Sequence, residues 1–256
     1  MNTISPLAFV SPDAILGDGV TIHPFAYIDK NVEIGNNCTI MPCASVLSGT
    51  RMGNNNEVHQ GTVLGSVPQD FKYQGGDTLL EIGNNNVFRE NIVISRSSAP
   101  EGKTVIGNDN SLMEGVHICH DVRVGNHCVL GLKSIIAGNC IIDSHVIFSS
   151  MVSMFQDTRA GSWSMVRGGC RFRKDVPPYI VTSTNPTSYY GVNVKLLKYN
   201  DFKEKTIQHI AHAYELIYHG NVSILDAAIR VEEEVPMSDE IRNIIDFVRN
   251  SQKVII

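Results

Sequence analysis

Residues 10–46 read VSPDAILGDGVTIHPFAYIDKNVEIGNNCTIMPCASV, and every sixth residue of this stretch, beginning with Val10, is apolar. The same frame continues, with interruptions after residues 64 and 94, as far as Phe172. A period of six fits neither the 3.6-residue period of a helix nor the two-residue period of a half-buried strand. It is the period of a hexapeptide repeat, in which each repeat forms one side of a coil. The sequence therefore predicts a parallel β-helix over most of the chain.

A second column of the repeat lies two residues before the large apolar position and holds mostly Ala, Val, Cys and Ser. Alternating large and small side chains would fill a narrow interior without voids. We therefore expect the four cysteines of this column to pack as small apolar side chains and not to form disulfides. They are Cys38, Cys128, Cys140 and Cys170.

The turn residues repeat with a longer period. Gly-Asp or Gly-Asn pairs begin at residues 17, 35 and 53, which gives three hexapeptides per coil and therefore three faces and three corners. Gly and Asn are expected at corners because they tolerate positive φ. The spacing lengthens before Gly83 and again before Gly107, so we predict two excursions from the coil, near residues 65–81 and 95–105. Such loops often carry function, although insertions without a role are also well tolerated.

The hexapeptide frame stops within residues 173–190, which contain the double proline Pro177-Pro178. Beyond it, apolar residues recur at helical spacing along residues 207–218, and further helices are predicted over 222–235 and 238–248. We therefore predict a β-helix domain over residues 1–190 and an α-helical domain over residues 191–256. The structural role of the second domain would be to cap the last coil.

Composition narrows the class of protein. A net charge of -5 and a pI near 6.0 argue against a general nucleic-acid-binding protein. No apolar run approaches the length of a membrane span, so an integral membrane protein is not expected. The N-terminal MNTISPLAFVSPDA lacks the basic and long apolar regions of a secretory signal, and the sequence has no CxxC. These features predict a cytoplasmic protein with reduced cysteines.

The hexapeptide VHICHD at residues 116–121 is the strongest local candidate for chemistry. Ile118 belongs to the inward frame, so His117 and His120 are expected to face outward. A histidine followed by an acid, here Asp121, suits a general base whose ring is oriented by a carboxylate. A solvated surface histidine is the plainer interpretation of so short a motif.

A zinc site is a competing interpretation of the histidines. His127 and His145 are 18 residues apart and should stack on adjacent coils. With His117 and His120 they could supply ligands, as in trimeric β-helix carbonic anhydrases. Catalytic zinc needs three converging protein ligands and an open position. The sequence offers no clear third ligand, so we predict neither a metal nor a cofactor.

A basic cluster lies near the end of the repeat and consists of Arg167, Arg171, Arg173 and Lys174. It is either a solvated face or a surface for an acidic protein partner. The sequence contains neither a Gly-rich phosphate loop leading into a helix nor a GxSxG serine elbow.

Several motifs occur in an order that resembles one enzyme family. They are PQDFKY at 68–73, IGNNNVFRE at 82–90, HICHD at 117–121, DVPPY at 175–179 and YGVN at 190–193. With the repeat and the helical tail, they resemble the acyl-[acyl-carrier-protein]–UDP-N-acetylglucosamine O-acyltransferases of lipid A synthesis. The resemblance covers essentially the whole chain. Many acyltransferases share the hexapeptide repeat, whereas this combination of motifs is specific.

The resemblance implies a left-handed β-helix, an exception to the usual right-handed crossover, that forms a homotrimer with active sites between subunits. The implied reaction is transfer of a 3-hydroxyacyl chain from acyl carrier protein to the 3-hydroxyl of UDP-N-acetylglucosamine, the first step of lipid A synthesis. His120 would be the general base and Asp121 its orienting acid. The backbone N–H of Gly138 would stabilise the thioester oxyanion.

The resemblance also implies which residues contact the substrates. Gly168 matches a glycine at the far end of the acyl groove, where a larger side chain would shorten the chain accepted, so we expect a preference for long chains. The basic cluster would receive the acidic carrier protein. The implied substrate-binding residues are Gln69, Asp70, Lys72, His117, Asn139, Gln156 and Asn193.

Five positions depart from the family pattern. Asn139 and Phe155 stand where the family often has histidines. Lys195, Tyr199 and Asn200 replace an acid and a pair of arginines that are associated with uracil and phosphate binding. We expect the reaction to be retained and the phosphate charge to be met by other cations, such as Lys195 or the basic cluster.

Two alternative functions stay open at this point. A related N-acyltransferase acts on a glucosamine amine, but it normally carries an additional N-terminal nucleotide-binding domain, whereas here the repeat begins by residue 8. A scaffold or carbonic-anhydrase-like metal protein would use the prism for assembly, and would hold stoichiometric zinc or show no turnover.

Overall fold

The strands follow the six-residue frame closely in the computed structural model, which describes residues 1–71, 73–220 and 222–256. Most strands are two residues long, and the second residue is the inward apolar one. The first strands are β1 Thr3–Ile4, β2 Phe9–Val10, β3 Ile15–Leu16, β4 Thr21–Ile22, β5 Tyr27–Ile28, β6 Glu33–Ile34, β7 Thr39–Ile40, β8 Ser45–Val46, β9 Thr50–Met52, β10 Glu57–Val58, β11 Val63–Ser66, β12 Leu79–Ile82, β13 Val87–Phe88 and β14 Val93–Ser95. The others are β15 Lys103–Ile106, β16 Ser111–Leu112, β17 His117–Ile118, β18 Arg123–Val124, β19 Val129–Leu130, β20 Ile135–Ile136, β21 Ile141–Ile142, β22 Ile147–Phe148, β23 Ser153–Met154, β24 Arg159–Ala160, β25 Met165–Val166, β26 Arg171–Phe172, β27 Ile180–Ser183 and β28 Ser188–Val192.

Within the described residues these strands stack into three sheets, which are the three faces of a prism. The first face takes every third strand from β1 to β25 and ends in β27 and β28. The second face runs from β2 to β26 and the third from β3 to β24. Pairing between successive coils is parallel, as between Thr21 and Thr39. The predicted fold class, a β-helix followed by a helical domain, is confirmed.

The interior of the prism is filled by the two columns seen in the sequence. Ile28, Ile40 and Leu130 of the large column are fully buried, as are the four cysteines of the small column, which are free thiols. Burial of one such aliphatic side chain contributes about 1.5–3 kcal/mol. The prism is therefore held together by regular packing along its whole length.

The corner between the third and first faces shows a different role for glycine from the one expected. Asn36 Oδ1 accepts a hydrogen bond from the Asp18 N–H at 2.8 Å, and the following Asn37 has the left-handed backbone with φ 55°. The preceding Gly35 does not have positive φ, so that part of the prediction is wrong. A Cβ on Gly35 would lie 2.6 Å from the carbonyl carbon of Gly53 on the next coil. Glycine is required here because successive backbones touch.

Both predicted excursions are present. Residues 67–78 connect β11 to β12, and residues 96–102 connect β14 to β15. Each excursion leaves from the second face and returns on the third face, and the two lie on successive coils. They therefore emerge together at the corner between these faces, directly before the coil that contains β17.

The chain leaves the prism through the antiparallel pair β27–β28 and then forms four helices within the described residues. These are α1 Val194–Tyr199, α2 Glu204–His219, α3 Ile224–Glu234 and α4 Asp239–Asn250. The last three were predicted; α1 was not, because six residues are too few to show a period. Tyr214 of α2 donates a hydrogen bond to the Pro178 carbonyl at 2.6 Å, which fixes the helices to the end of the prism. No helix in the described part of the chain is long and apolar enough to cross a bilayer.

Candidate active site

His120 and Asp121 form a close pair at the corner between the second and third faces. Ile118 of β17 is buried, while His117 and His120 on either side of it are partly exposed, as the frame predicted. Asp121 has a left-handed backbone with φ 61°, and its N–H donates to Thr104 Oγ1 at 2.9 Å. This turn directs the carboxylate back to the imidazole, so that Asp121 Oδ2 lies 2.8 Å from His120 Nδ1.

The carboxylate of Asp121 is surrounded by donors from the second excursion. Ser97 Oγ donates to Oδ1, and Ser98 donates to Oδ2 through its hydroxyl at 2.9 Å and its N–H at 3.3 Å. Burial alone would raise the pKa of Asp121, but the hydrogen bonds from Ser97, His120 and Ser98 outweigh it and hold the pKa below its usual value. Asp121 is therefore an anion at neutral pH and only accepts hydrogen bonds.

The protonation of His120 follows from that anion. An ionised carboxylate has no proton to give, so Nδ1 of His120 must carry the hydrogen that faces Asp121. In the neutral imidazole the other nitrogen, Nε2, then has a free lone pair. Asp70 Oδ2 lies 3.7 Å from this Nε2. The ring is thus oriented with its basic nitrogen toward the first excursion.

The first excursion is held next to His120 by contacts that the sequence did not reveal. Asp70 Oδ2 lies 3.4 Å from Ser98 Oγ of the second excursion. Arg96 donates to Tyr73 Oη at 3.1 Å and to the Ser48 carbonyl at 3.0 Å, and its hydrogen bond to Tyr73 lowers the pKa of that phenol against the effect of burial. Gln69 is exposed beside Asp70. Lys72, also predicted to bind substrate, lies outside the described residues.

Gly138 lies on the next coil, directly against the His120 ring. A Cβ at this position would be 2.6 Å from His120 Cε1 and 2.8 Å from Nε2. Among the described residues, no acceptor binds the Gly138 N–H, whereas the neighbouring Asn139 N–H donates to the His120 carbonyl at 3.1 Å. The Gly138 backbone therefore lies against the edge of the ring that carries Nε2.

Gln156 lies at the same corner of the prism, on the next coil toward the C-terminus. The Asp157 N–H donates to the Gly138 carbonyl at 3.2 Å, which places Gln156 one coil beyond Gly138, and its side chain is exposed. Asn139 is also exposed, and its Nδ2 donates to Asp157 Oδ1 at 3.2 Å. His120, Gly138 and Gln156 thus form a column along one edge of the prism.

His117 lies in β17 and faces the outside of the second face. Burial lowers the pKa of its imidazole, so the ring is neutral at pH 7. A neutral imidazole offers one donor and one acceptor, which suits a contact with an uncharged polar group of a ligand.

Two predicted site residues lie elsewhere in the chain. Gly168 follows β25 on the first face, at the corner between the first and second faces. Asn193 follows β28 on the first face and is buried, with its Nδ2 donating to the Trp163 carbonyl at 3.0 Å. Neither residue shares the corner of His120 within one chain.

The predicted basic cluster is divided between two grooves. Arg171, Arg173 and Lys174 line a groove of about 680 Å³, where the Arg173 guanidinium lies 4.1 Å from the centre of the Phe155 ring. Arg167 lies in a separate groove of about 470 Å³, with its guanidinium 3.8 Å from the Tyr190 ring centre. The cluster expected from the sequence is therefore divided, with Arg167 in a different groove from the other three cations. The reason is that Arg167 follows a first-face strand, whereas the other three follow or belong to a second-face strand.

The remaining histidines of the zinc interpretation stack as predicted. The ring centroids of His127 and His145 are 4.9 Å apart, and His145 stacks on Trp163 at 3.8 Å. Burial, followed by the neighbouring His127, lowers the pKa of His145. Across residues 1–71, 73–220 and 222–256, no group of three His, Cys, Asp or Glu side chains is arranged to hold a metal ion.

Two family models match the chain. Residues 175–256 match the model described as UDP N-acetylglucosamine O-acyltransferase, domain 2. Residues 31–66 and 103–131 match the bacterial transferase hexapeptide model, which describes six repeats.

Solved structures resemble this chain over its whole length. LpxA, a UDP-N-acetylglucosamine acyltransferase from Bacteroides fragilis, is 47% identical with a TM-score of 0.98, and the match covers 99% of this chain and 100% of that chain. LpxA from Acinetobacter baumannii is 34% identical with a TM-score of 0.95, covering 99% of each chain. The UDP-N-acetylglucosamine O-acyltransferase LpxA from Moraxella catarrhalis is 31% identical, with a TM-score of 0.95 and 99% coverage of each chain.

Proposed function

Because this chain belongs to the UDP-N-acetylglucosamine O-acyltransferase family and is an acyltransferase, we propose that it transfers a 3-hydroxyacyl chain from acyl carrier protein to the 3-hydroxyl of UDP-N-acetylglucosamine, in lipid A synthesis. The observation that carries the proposal is the arrangement of three groups at one corner. Asp121 holds His120 Nδ1 at 2.8 Å, and Gly138 presents its backbone against Nε2. These groups supply a base, its orienting anion and an oxyanion donor.

The first step is removal of a proton from the sugar. His120 Nε2 accepts the proton of the sugar 3-hydroxyl while the oxygen of that hydroxyl attacks the carbonyl carbon of the thioester. The imidazolium that forms is stabilised by the anionic Asp121, which stays ionised because its pKa is held low. No covalent acyl-enzyme is needed, since the acceptor attacks the thioester directly.

The second step is collapse of the tetrahedral intermediate. Its oxyanion accepts a hydrogen bond from the Gly138 N–H, which has no other acceptor among the described residues. The C–S bond then breaks, and the proton held by His120 passes to the departing thiolate of the carrier protein. The products are the ester and the free thiol, and the imidazole returns to its neutral form.

The sugar nucleotide binds next to the first excursion in this proposal. Gln69, Asp70 and Lys72 contact the sugar or the acyl chain, and Asp70 is already within 3.7 Å of the catalytic nitrogen. The substrates also contact His117, which lies on the second face of the coil that carries His120, and Gln156, which lies at the corner of His120 two coils further along. Asn139 is exposed beside Gly138 and offers the substrate a neutral hydrogen-bond donor, whereas a histidine at this position would be a donor whose charge depends on pH.

Gly168 and Asn193 are assigned to the same site through a homotrimer. Both are on other corners of their own chain, so they reach a site built around His120 only if a neighbouring subunit supplies them. Closed rings of identical subunits bring two different surface patches together at each interface. The acyl groove would then lie between subunits, with Gly168 at its far end.

The carrier protein is proposed to bind at the groove of Arg171, Arg173 and Lys174. These cations lie one coil beyond Phe155 and Gln156, on the face that also carries His120. Acidic partners are attracted to such a patch mainly through faster association, which is sensitive to salt. Arg167 is assigned instead to the nucleotide side of the site, with Lys195 in the same groove.

The test is a transfer assay with purified protein, UDP-N-acetylglucosamine and a panel of 3-hydroxyacyl carrier proteins. We expect esterification of the 3-hydroxyl, with long acyl chains preferred because position 168 is glycine. A preference for chains of about ten carbons would contradict the groove assignment, because a pocket distinguishes single methylenes. Acylation only of a glucosamine 2-amine would favour the N-acyltransferase alternative. Stoichiometric zinc without turnover would favour the metal-protein alternative.

A further inference from the structure

We propose that Ser98 is a positioning residue for the general base and that it couples the first excursion to the orientation of His120. The inference rests on the proposed function. Ser98 touches three groups that the reaction depends on: the base, its orienting anion and a carboxylate of the substrate-binding excursion.

The Ser98 hydroxyl, the Asp121 carboxylate and the His120 ring are all in contact with one another. Its Oγ is 2.9 Å from Asp121 Oδ2 and 3.0 Å from His120 Nδ1, while Oδ2 and Nδ1 are themselves 2.8 Å apart. Asp121 only accepts, so the Ser98 hydroxyl donates its one proton to Oδ2, and the His120 Nδ1–H, which faces Oδ2, has Ser98 Oγ beside it as a second acceptor. Three atoms within about one hydrogen-bond length of each other fix both the position and the tilt of the imidazole.

Ser97 supports the same arrangement from the other side of the carboxylate. Its side chain is fully buried and its hydroxyl donates to Asp121 Oδ1. Both oxygens of Asp121 are therefore bound by the second excursion, and rotation of the carboxylate away from His120 would break two hydroxyl contacts. Hydrogen bonds to a charged group are stronger than those between neutral groups, so these two contacts favour one rotamer of Asp121.

The Ser98 hydroxyl oxygen also contacts the first excursion. Ser98 Oγ lies 3.4 Å from Asp70 Oδ2, and this carboxylate oxygen is also 3.7 Å from His120 Nε2. Ser98 thus contacts the Nδ1 side of the ring and Asp70 approaches its Nε2 side. Movement of Asp70 onto a sugar hydroxyl would change the contacts of Ser98, and through them the base.

The experiment compares Ser98→Ala and Ser98→Thr with the wild type and with Ser95→Ala. Ser95 is a suitable control because it is a serine three residues earlier, at the end of β14, whose hydroxyl contacts Ser66 Oγ at 3.0 Å and none of the three site groups. We expect Ser98→Ala to lower kcat by about tenfold or more, with a smaller change in KM for the sugar nucleotide. Ser98→Thr, which keeps the hydroxyl, should recover most of the loss, and Ser95→Ala should leave kcat unchanged.

Two further readouts separate positioning from a general structural effect. Loss of the Ser98 hydroxyl removes a donor from Asp121, so NMR of the Asp121 side-chain carboxyl carbon should show the pKa of this group raised in Ser98→Ala and unchanged in Ser95→Ala. In the free protein, NMR of isotope-labelled histidine should show the His120 Nδ1 proton shifted or exchanging faster in Ser98→Ala and unchanged in Ser95→Ala.

The proposal is overturned if Ser98→Ala keeps kcat within about twofold of the wild type, a change too small for a lost positioning contact. It is also overturned if folded Ser98→Thr is as slow as Ser98→Ala, or if the His120 Nδ1 resonance does not respond. If the wild-type protein does not acylate UDP-N-acetylglucosamine, it is the proposed function that is wrong. In that case the NMR measurement alone still decides whether Ser98 positions His120.

Discussion

At the scale of single residues, the site depends on the absence of a side chain at position 138. The His120 ring occupies the space that a Cβ of Gly138 would need, with Cε1 only 2.6 Å from that point. The backbone of Gly138 does not lie in the left-handed region, so alanine is allowed there by the backbone and forbidden only by the ring. Gly138 is thus needed for the close approach and not for the turn.

We expect Gly138→Ala to displace His120 and to lower kcat by about 10²–10⁴-fold, the contribution of a well-placed base. Thermal unfolding should change little, because the partly exposed ring can move outward. A double-mutant cycle is the sharper measurement. On the His120→Ala background, Gly138→Ala should cost almost nothing further, since both changes remove the same base. Additive losses would show that Gly138 acts in another way.

Asp121 gives a second residue-scale prediction, on pH. Its folded pKa is lower than the ordinary value of 3.8, so it stabilises the fold above that value, and the stabilisation is lost as pH falls through the folded pKa. Melting temperatures of wild type and Asp121→Asn should therefore differ most above about pH 5 and converge only as pH falls well below the ordinary pKa of 3.8. A difference that grows on acidification would contradict the direction of this shift.

The sequence reveals some of these residues and hides others for a physical reason. His120 and Asp121 are visible because the hexapeptide frame sets the phase of their strand. Ser97 and Ser98 are not, because the frame is interrupted there and a loop outside the period has no predictable direction. The strand register explains why Ser97 and Ser98 lie at the site. Ile94 pairs with Ile118, so the residues after Ile94 lie next to those after Ile118.

At the scale of elements, buried asparagines join the coils at the corner between the third and first faces. Asn86 is fully buried; its Nδ2 donates to the Gly107 carbonyl at 2.9 Å, and its Oδ1 accepts from the Asn110 N–H at 3.0 Å. Two-residue strands provide few ladder hydrogen bonds, so side chains of this kind hold successive coils in register. These side-chain contacts could not be read from the hexapeptide repeat. By contrast, the helical spacing of apolar residues was sufficient to predict three of the four helices.

We expect Asn86→Ala to lower the free energy of unfolding by about 2–4 kcal/mol, because it leaves a buried N–H and a buried carbonyl without partners. Asn36→Ala is the matched control: Asn36 is exposed and water can replace its contact with the Asp18 N–H, so the loss should be below about 1 kcal/mol. Denaturant unfolding of both variants measures the difference. Equal losses would show that burial does not decide the role of these asparagines.

At the scale of the whole molecule, the prism separates residues that the reaction is proposed to need together. His120 lies at one corner, while Asn193 lies on the first face, so the proposed site would need a neighbouring subunit to supply Asn193. The sequence could predict that assembly through the family resemblance alone, because the hexapeptide frame describes one chain. Sedimentation should give about three times the chain mass of 28.2 kDa.

Mixed trimers test the shared site directly. His120→Ala and Asn193→Ala are each expected to be defective, but a site that takes His120 from one subunit and Asn193 from its neighbour can be intact in a mixture. Random assembly of equal amounts should restore about one quarter of wild-type activity, because both neighbours must be of the right kind. No recovery above the separate variants would place both residues in the same subunit's site.

The role of His120 as general base is tested most directly by the rate of ester formation at the 3-hydroxyl of UDP-N-acetylglucosamine by wild type and by His120→Ala, with the same 3-hydroxyacyl carrier protein. We expect the variant to keep its sedimentation and melting behaviour and to lose about 10²–10⁴-fold in kcat. A His120→Ala protein that transfers the acyl chain at close to the wild-type rate would contradict that role.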